Sequence, residues 1–162
     1  MKEILLSSGD VCFVDDVDYD FVNQWKWKPI KSKVNIYAGR NVRGKNGKRW
    51  ACVLMHRLLT DAPDGKQVDH IDRDTLNNTR KNLRVCTQSE NNANSVGWVH
   101  GASRYKGVSK NGTGWIARTK KNGKTHRFGT YRTQEEAALA YDVGAIELHG
   151  EFARLNFMEE SS

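Results

Sequence analysis

Asp69 and His70 stand side by side at the head of a polar stretch, Val68 to Asn94, that reads VDHIDRDTLNNTRKNLRVCTQSENNAN. A carboxylate next to an imidazole can hold a cation and move a proton. Asn82 and Asn91 follow, with eleven residues between His70 and Asn82 and eight between Asn82 and Asn91. Asp69 and the amide oxygen of Asn91 are hard donors, the kind Mg²⁺ accepts through one or two protein ligands while keeping several waters. A single carboxylate leaves such an ion with net positive charge, so a phosphate oxygen can still bind it. His70, whose ordinary pKa lies near neutrality, could take a proton from a water attacking that phosphate.

Those side chains must be positioned by short elements. The pattern predicts a strand ending at Asp69-His70, a polar loop, and a second strand over Leu83 to Cys86 with Asn82 at its start. Thr87-Gln88-Ser89-Glu90 is a Thr-x-x-Glu capping box that opens a helix and places Asn91 in its first turn. A hairpin folded against a helix N-terminus would gather Asp69, His70, Asn82 and Asn91 around one point. Taken one at a time, these features also fit an ordinary surface turn, an Asn-rich loop and a common cap.

The spacing of His70, Asn82 and Asn91 resembles the HNH nuclease motif in the variant whose third position is Asn. The sequence is similar to phage-type HNH homing endonucleases, including Asn82-Leu83-Arg84 after the hairpin and Glu90-Asn91 in the helix. The resemblance extends to Val14-Asp15-Asp16, Tyr37-Ala38 and Met55-His56-Arg57. It implies that Asp69 and Asn91 hold the metal, that His70 is the general base, and that Asn82 braces the hairpin and orients the imidazole. An amide in place of the third imidazole favours a hard ion over Zn²⁺. The cofactor expected is therefore one divalent cation, Mg²⁺, with Mn²⁺ as the alternative. His56 reads as a hydrogen-bonded structural histidine, while Arg57 could reach the scissile phosphate and stabilise developing charge.

Composition sets the wider frame. The formal net charge is +7 over 162 residues, which suits an anionic polymer as partner. The charge is also segregated: residues 21–60 hold ten Lys or Arg and residues 104–132 nine, with no Asp or Glu in either block. Two basic surfaces follow, whose grip on phosphates would weaken steeply with salt. Cys12, Cys52 and Cys86 are odd in number, far apart and without a Cys-x-x-Cys pair. They read as buried, reduced thiols of an intracellular protein. No apolar run approaches a membrane span, and the first residues lack a signal peptide's apolar core.

In chain order, Met1 to Val14 predicts two short strands and Asp15 to Trp27 an acidic turn and a short helix, with Phe21, Val22, Trp25 and Trp27 as core aromatics and apolar residues. Lys28 to Val53 alternates basic and apolar residues around a Gly-Lys-Asn-Gly-Lys turn and predicts a twisted hairpin with a basic outer face. Met55 to Leu59 predicts a helix behind it. Residues 96–103 read as a linker. Beyond them, strands are expected over Arg104–Val108, Trp115–Lys120 and Thr125–Tyr131, joined by Gly-containing turns into a three-stranded meander. Thr133-Gln134-Glu135-Glu136 is a second capping box, opening a helix with small and apolar residues at helical spacing and Gly150 as its stop. The helix carries the acids and the sheet the bases, so the sheet face away from the helix would be basic.

This last unit resembles the plant APETALA2-type DNA-binding domain through Tyr105-Lys106-Gly107-Val108, Trp115 with Ala117, Gly129-Thr130-Tyr131, Glu135-Glu136-Ala137-Ala138, Ala140-Tyr141-Asp142 and Leu155-Asn156-Phe157. By that resemblance Lys106, Ser109, Trp115, Arg118, Lys120 and Arg127 fall on the DNA-contacting strands. Arginines could read base edges while lysines grip phosphates. Trp115 fits core packing as well as DNA contact. Several arginines of the plant domains are Lys, Ser or Thr here, so their preferred sequence does not carry over.

The expected fold class is α+β: an N-terminal ββα-metal (HNH) nuclease domain over residues 1–95, a linker at 96–103, and a three-stranded antiparallel sheet packed on one helix over 104–157. The expected function is a site-selective, metal-dependent DNA endonuclease of the homing type. Its partner would be double-stranded DNA, with no membrane, in a chain expected to be monomeric, intracellular and of phage type. The alternatives are a non-enzymatic, sequence-preferring DNA-binding regulator whose HNH hairpin is scaffold only, and an RNA-directed binder. The sheet's lack of paired exposed aromatics argues against the second.

Overall fold

A computed structural model describes residues 1–32, 34–43, 50–96 and 102–157. The Gly-Lys-Asn-Gly-Lys turn and most of the expected linker lie outside the described residues. The chain divides into two compact units, Met1–Cys86 and Thr87–Ser162. Both units are mixed α/β and use small antiparallel sheets.

In the first unit, β1 (Lys2–Leu5) and β2 (Val11–Val14) form a hairpin, and α1 (Asp16–Asn23) follows. The expected twisted hairpin is instead a three-stranded sheet in the order β3 (Lys28–Lys31), β4 (Ile36–Arg43), β5 (Trp50–Leu54). Pro29 is tolerated because β3 is an edge strand. The short helix α2 (Met55–Thr60) then turns the chain toward β6 (Gln67–His70), which pairs with β7 (Leu83–Cys86). Ile4, Leu6, Val14, Val22, Trp27, Met55 and Leu83 close the core between these elements. Phe21 departs from the expected aromatic core: it is exposed, edge-on to Trp25.

Two clasps of long sequence separation fix the loop between β6 and β7. Phe13 N–H donates to Leu76 O at 2.8 Å and Asn78 N–H to Phe13 O at 2.7 Å, so the loop pairs with the edge of β2. Arg80 donates through Nε and Nη2 to the two oxygens of buried Asp18, each at 2.7 Å, and its backbone N–H bonds Asp15. The early cluster of acids thus grips the loop from α1.

In the second unit, α3 (Gln88–Asn94) precedes the sheet β8 (Val108–Asn111), β9 (Gly114–Lys121), β10 (Lys124–Tyr131), with β9 central. The first strand begins four residues later than expected. Gly107 has φ +73°, and a Cβ there would lie 2.0 Å from the Tyr141 ring, so the chain reaches the sheet only after this left-handed turn. α4 (Gln134–His149) packs on the sheet through Ala137, Ala138, Tyr141 and Ala145. Gly144 lets it approach closely: a Cβ there would meet Phe128 at 2.3 Å. Both capping boxes form with both of their hydrogen bonds, Thr87 with Glu90 and Thr133 with Glu136. Asp142 receives the backbone N–H groups of Asn156 and Phe157 and so ties the chain's return to the helix.

All three cysteines are free. Cys12 and Cys86 are buried, whereas Cys52, expected inside, is exposed on β5, at the sheet's edge. Burial pushes the Cys12 thiol up to about 12, which leaves it protonated and inert. No described helix is long and apolar enough to cross a membrane.

Candidate active site

The β6–β7 register sets Asp69 opposite Arg84 and His70 opposite Leu83. Arg84 donates to Asp69 Oδ2 through Nε at 2.8 Å and Nη2 at 2.7 Å, and both side chains are largely buried. The carboxylate is thereby oriented and charge-balanced across the hairpin.

His70, the last residue of β6, is 4% exposed. Its Nε2 lies 3.3 Å from Asn78 Oδ1, and Asn78 Nδ2 in turn donates to Leu76 O. With the amide so oriented, Nε2 carries the proton and Nδ1 is the basic atom of the neutral ring. Burial pushes the His70 pKa below its ordinary value; the Asn78 hydrogen bond and then Asp72, Asp69 and Asp74 pull it back. The ring is therefore neutral at neutral pH, as a proton acceptor must be.

Asn82 closes the loop. Its Oδ1 accepts the backbone N–H of Asp72 at 3.0 Å, and its Nδ2 donates to Asp72 Oδ1 and Asn77 O, each at 2.8 Å. Asp72 also receives Asp74 N–H and Asn77 Nδ2, so the run expected as polar turn residues is a hydrogen-bonded knot. Asn78, 0% exposed, is the member sequence reasoning missed. Its only signal was the Asn77-Asn78 pair in the middle of the loop.

A second imidazole stands beside His70. His56, from α2, meets it edge to face with centroids 5.1 Å apart, and Tyr37 of β4 lies 5.3 Å from His56 and 6.2 Å from His70. His56 was expected to be hydrogen-bonded. Its Nδ1 is instead buried and bonds nothing among the described residues. Burial, then repulsion from His70 and Arg57, pushes its pKa down to about 3, so it stays uncharged. Arg57 directs its guanidinium to the carbonyls of Lys66, Ala62 and Pro63, at 2.8, 3.1 and 3.3 Å, and so staples the turn that leads into β6.

Asn91 lies in α3 of the second unit, its N–H bonded to Thr87 O. Among the described residues no three His, Cys, Asp or Glu side chains gather in a metal-holding group.

On the β8–β9–β10 sheet, Arg118 stands directly opposite Arg127 and Lys120 opposite Thr125. All four are exposed, alternating with helix-facing Ala117, Thr119 and Lys121. Ser109 sits opposite Ile116 on the adjoining strand. Lys106, Ser109, Arg118 and Lys120 share the lining of one pocket of about 450 Å³. Lys106 also donates through Nζ to Ala93 O. Trp115 packs against the core beneath α4 and lies under the Lys110 ammonium, 4.6 Å from its centroid.

Comparison with known proteins bears on this stretch of the chain. The sequence pattern of the HNH endonuclease family matches residues 61–93, from the turn held by Arg57 to the end of α3. An uncharacterized HNH endonuclease of Acanthamoeba polyphaga mimivirus is 38% identical over 85% of this chain and 74% of its own length. Protein 3.8 of Escherichia phage T7 is 36% identical over 57% of this chain and 77% of its own. An AP2-like ethylene-responsive transcription factor of Arabidopsis thaliana is 48% identical over 39% of this chain, which spans only 19% of that factor. The chain belongs to the HNH endonuclease family.

Proposed function

We propose that the protein is a metal-dependent DNA endonuclease of the homing type, in which His70 removes a proton from the water that attacks a backbone phosphorus. The observation that carries the reading is the buried, neutral His70 imidazole, its Nε2 held by Asn78 and its strand neighbour Asp69 fixed by Arg84. Nδ1 takes the proton as the new P–O bond forms and the bond to the leaving 3′ oxygen breaks. By the resemblance, the products carry a 5′-phosphate and a 3′-hydroxyl. The imidazolium that results is stabilised by Asp72, Asp69 and Asp74, whose charges already favour the protonated ring. Asn82 keeps the loop bearing these carboxylates in place. Arg57 supports the same geometry through the turn before β6 and is the candidate for contact with the phosphate.

The donor set suits a hard divalent cation. Asp69 offers one carboxylate and Asn91 one amide oxygen, which fits Mg²⁺, or Mn²⁺, better than an all-protein cage. Bound there, the ion would supply Lewis acidity to the phosphate and to the leaving oxygen. The nuclease function then draws on residues 1–95, and residues 104–157 hold the DNA. The names of the plant relatives, together with the outward row of Arg118, Lys120 and Arg127 beside Ser109, support double-stranded DNA as the partner. One such site in a monomer cuts one strand.

The test is supercoiled plasmid carrying the native genomic neighbourhood, incubated with wild type or His70→Ala, with Mg²⁺ or EDTA. Open-circle or linear product is expected only with wild type and metal. Protein that shifts the same DNA in a gel and never cuts it would overturn the nuclease reading in favour of a binding regulator.

A further inference from the structure

A second cluster in the first unit is built around Arg40 of β4. The guanidinium lies over the Trp25 ring at 4.0 Å from its centroid and 5.8 Å from that of Trp27. Its Nε is shut from solvent and donates to no acceptor among the described residues. Trp27 is itself locked, its Nε1 donating to Val22 O at 2.8 Å, so the aromatic floor is rigid. A pocket of about 400 Å³ opens here, and Lys26, Lys28, Ser7 and Asn41 share its lining with Arg40 and the indoles.

Three features make this arrangement unusual for a solvated basic patch. Three cations line one small pocket and no carboxylate does. None of the three forms an ion pair among the described residues, although Arg80 and Arg84 of the same unit both do. A buried N–H without an acceptor is rare in native proteins; here Nε is covered, and the guanidinium would meet a ligand through its Nη groups. Stacking on an indole also fixes the guanidinium plane in advance, which lowers the entropy lost when a bidentate oxygen ligand docks.

We propose that this pocket is a phosphate site for a nucleic-acid backbone, with Arg40 as the fork, Lys26 and Lys28 as flanking charges, and Ser7 as a neutral donor. The phosphate chemistry is read from the pocket; its source in DNA rests on the proposed function above. The pocket is separate from the imidazole pair. Arg40 is three residues beyond Tyr37 in β4 and so projects from the opposite face of the sheet. It anchors a strand and takes no part in bond breaking.

The full chain, labelled with ¹⁵N and kept in EDTA so that nothing is cut, is titrated with a short DNA duplex and, separately, with inorganic phosphate. Arg40 Nε–H is identified by its loss in Arg40→Lys. It is expected to shift with duplex, and in Arg40→Gln the slope of log affinity against log salt should become shallower by about 0.9. Lys28→Gln, which leaves the Trp25 stack intact, should do the same. If the duplex moves other resonances while Arg40 stays still and both variants keep the full slope, the pocket proposal fails and the DNA reading stands. If the duplex moves nothing, both fail. A shift with phosphate alone and none with duplex would make this a small-anion pocket and overturn the assignment.

Discussion

The two units solve opposite problems. In the first, polar side chains are buried: Asp18, His56, Asp69, His70, Asn78, Thr79 and Asn82 all lie at 6% exposure or less. In the second, the helix–sheet interface is made mainly of alanines, a glycine and aromatic rings, with Ser103, Asp142 and His149 as buried polar groups, while Arg118, Lys120 and Arg127 of the sheet face out. Moving a proton requires atoms fixed within a few tenths of an ångström, and inside a protein only a hydrogen-bonded network supplies that. Holding a polyanion requires a stiff plate with charge on its outside. On the proposed function, buried polarity would mark the chemistry of the chain and exposed polarity its grip.

The contrast can be broken most sharply at His70. His70→Ala should lower cleavage by about 10²- to 10⁴-fold while leaving DNA affinity unchanged, read by plasmid nicking beside a gel shift. Arg84→Met comes next. It removes the guanidinium that balances the buried Asp69 carboxylate across the hairpin, at a cost of about 3–5 kcal/mol to the first unit. Hydrogen exchange should show amide protection lost in β6 and β7 and retained in β9 and α4, and equal loss in both units would dissolve the distinction drawn here. Gly144→Val is the counterpart in the second unit. Forcing a side chain against Phe128 should cost about 1–3 kcal/mol and weaken DNA binding, with the His70 region unaffected by the same measurement.

The most gradual effect is a pH dependence, small at any one pH unit. His56 has a folded pKa of about 3 against an ordinary 6.5, so on acidification the unfolded chain takes up the proton first. Its contribution to stability is complete above about pH 6.5 and is lost as pH falls from there toward 3, at about 1.4 kcal/mol per pH unit. His56→Phe should flatten the acid limb of a urea-melt stability curve by that amount. An unchanged limb would mean that His56 is not buried neutral.

How legible all this was in the sequence depended on range. The capping boxes at Thr87 and Thr133 are local, four-residue arrangements, and both formed as read. The small residues of α4 likewise announced a close helix–sheet contact, and Gly144 against Phe128 is that contact. Where a tertiary contact decided the outcome, the reading fell short. β8 begins after Gly107 because Tyr141 occupies the space above it, and Tyr141 is thirty-four residues away in sequence. Arg84 appeared in the sequence as part of a motif; its pairing with Asp69 needed the strand register. The clasp of Arg80 by Asp18 bridges 62 residues, beyond the reach of any periodicity. Asn78 shows the limit most clearly, since an asparagine among asparagines gives no sign that it will be the one turned inward to the imidazole.

The pairing of the 76–78 loop with the edge of β2 has a consequence for how the protein is made. β2 leaves the ribosome more than sixty residues ahead of the loop that completes it. Until then Phe13 presents an open backbone edge, and the histidine at the end of β6 lacks the Asn78 contact at its Nε2. The proposed catalytic centre is therefore among the last parts of its unit to take shape, because closing so long a loop depends on the earlier strands being in place. A nascent or prematurely terminated chain would carry every basic residue of the β3–β4–β5 sheet and still lack a competent base. On the proposed function, such a fragment would cling to nucleic acid without being able to cut it.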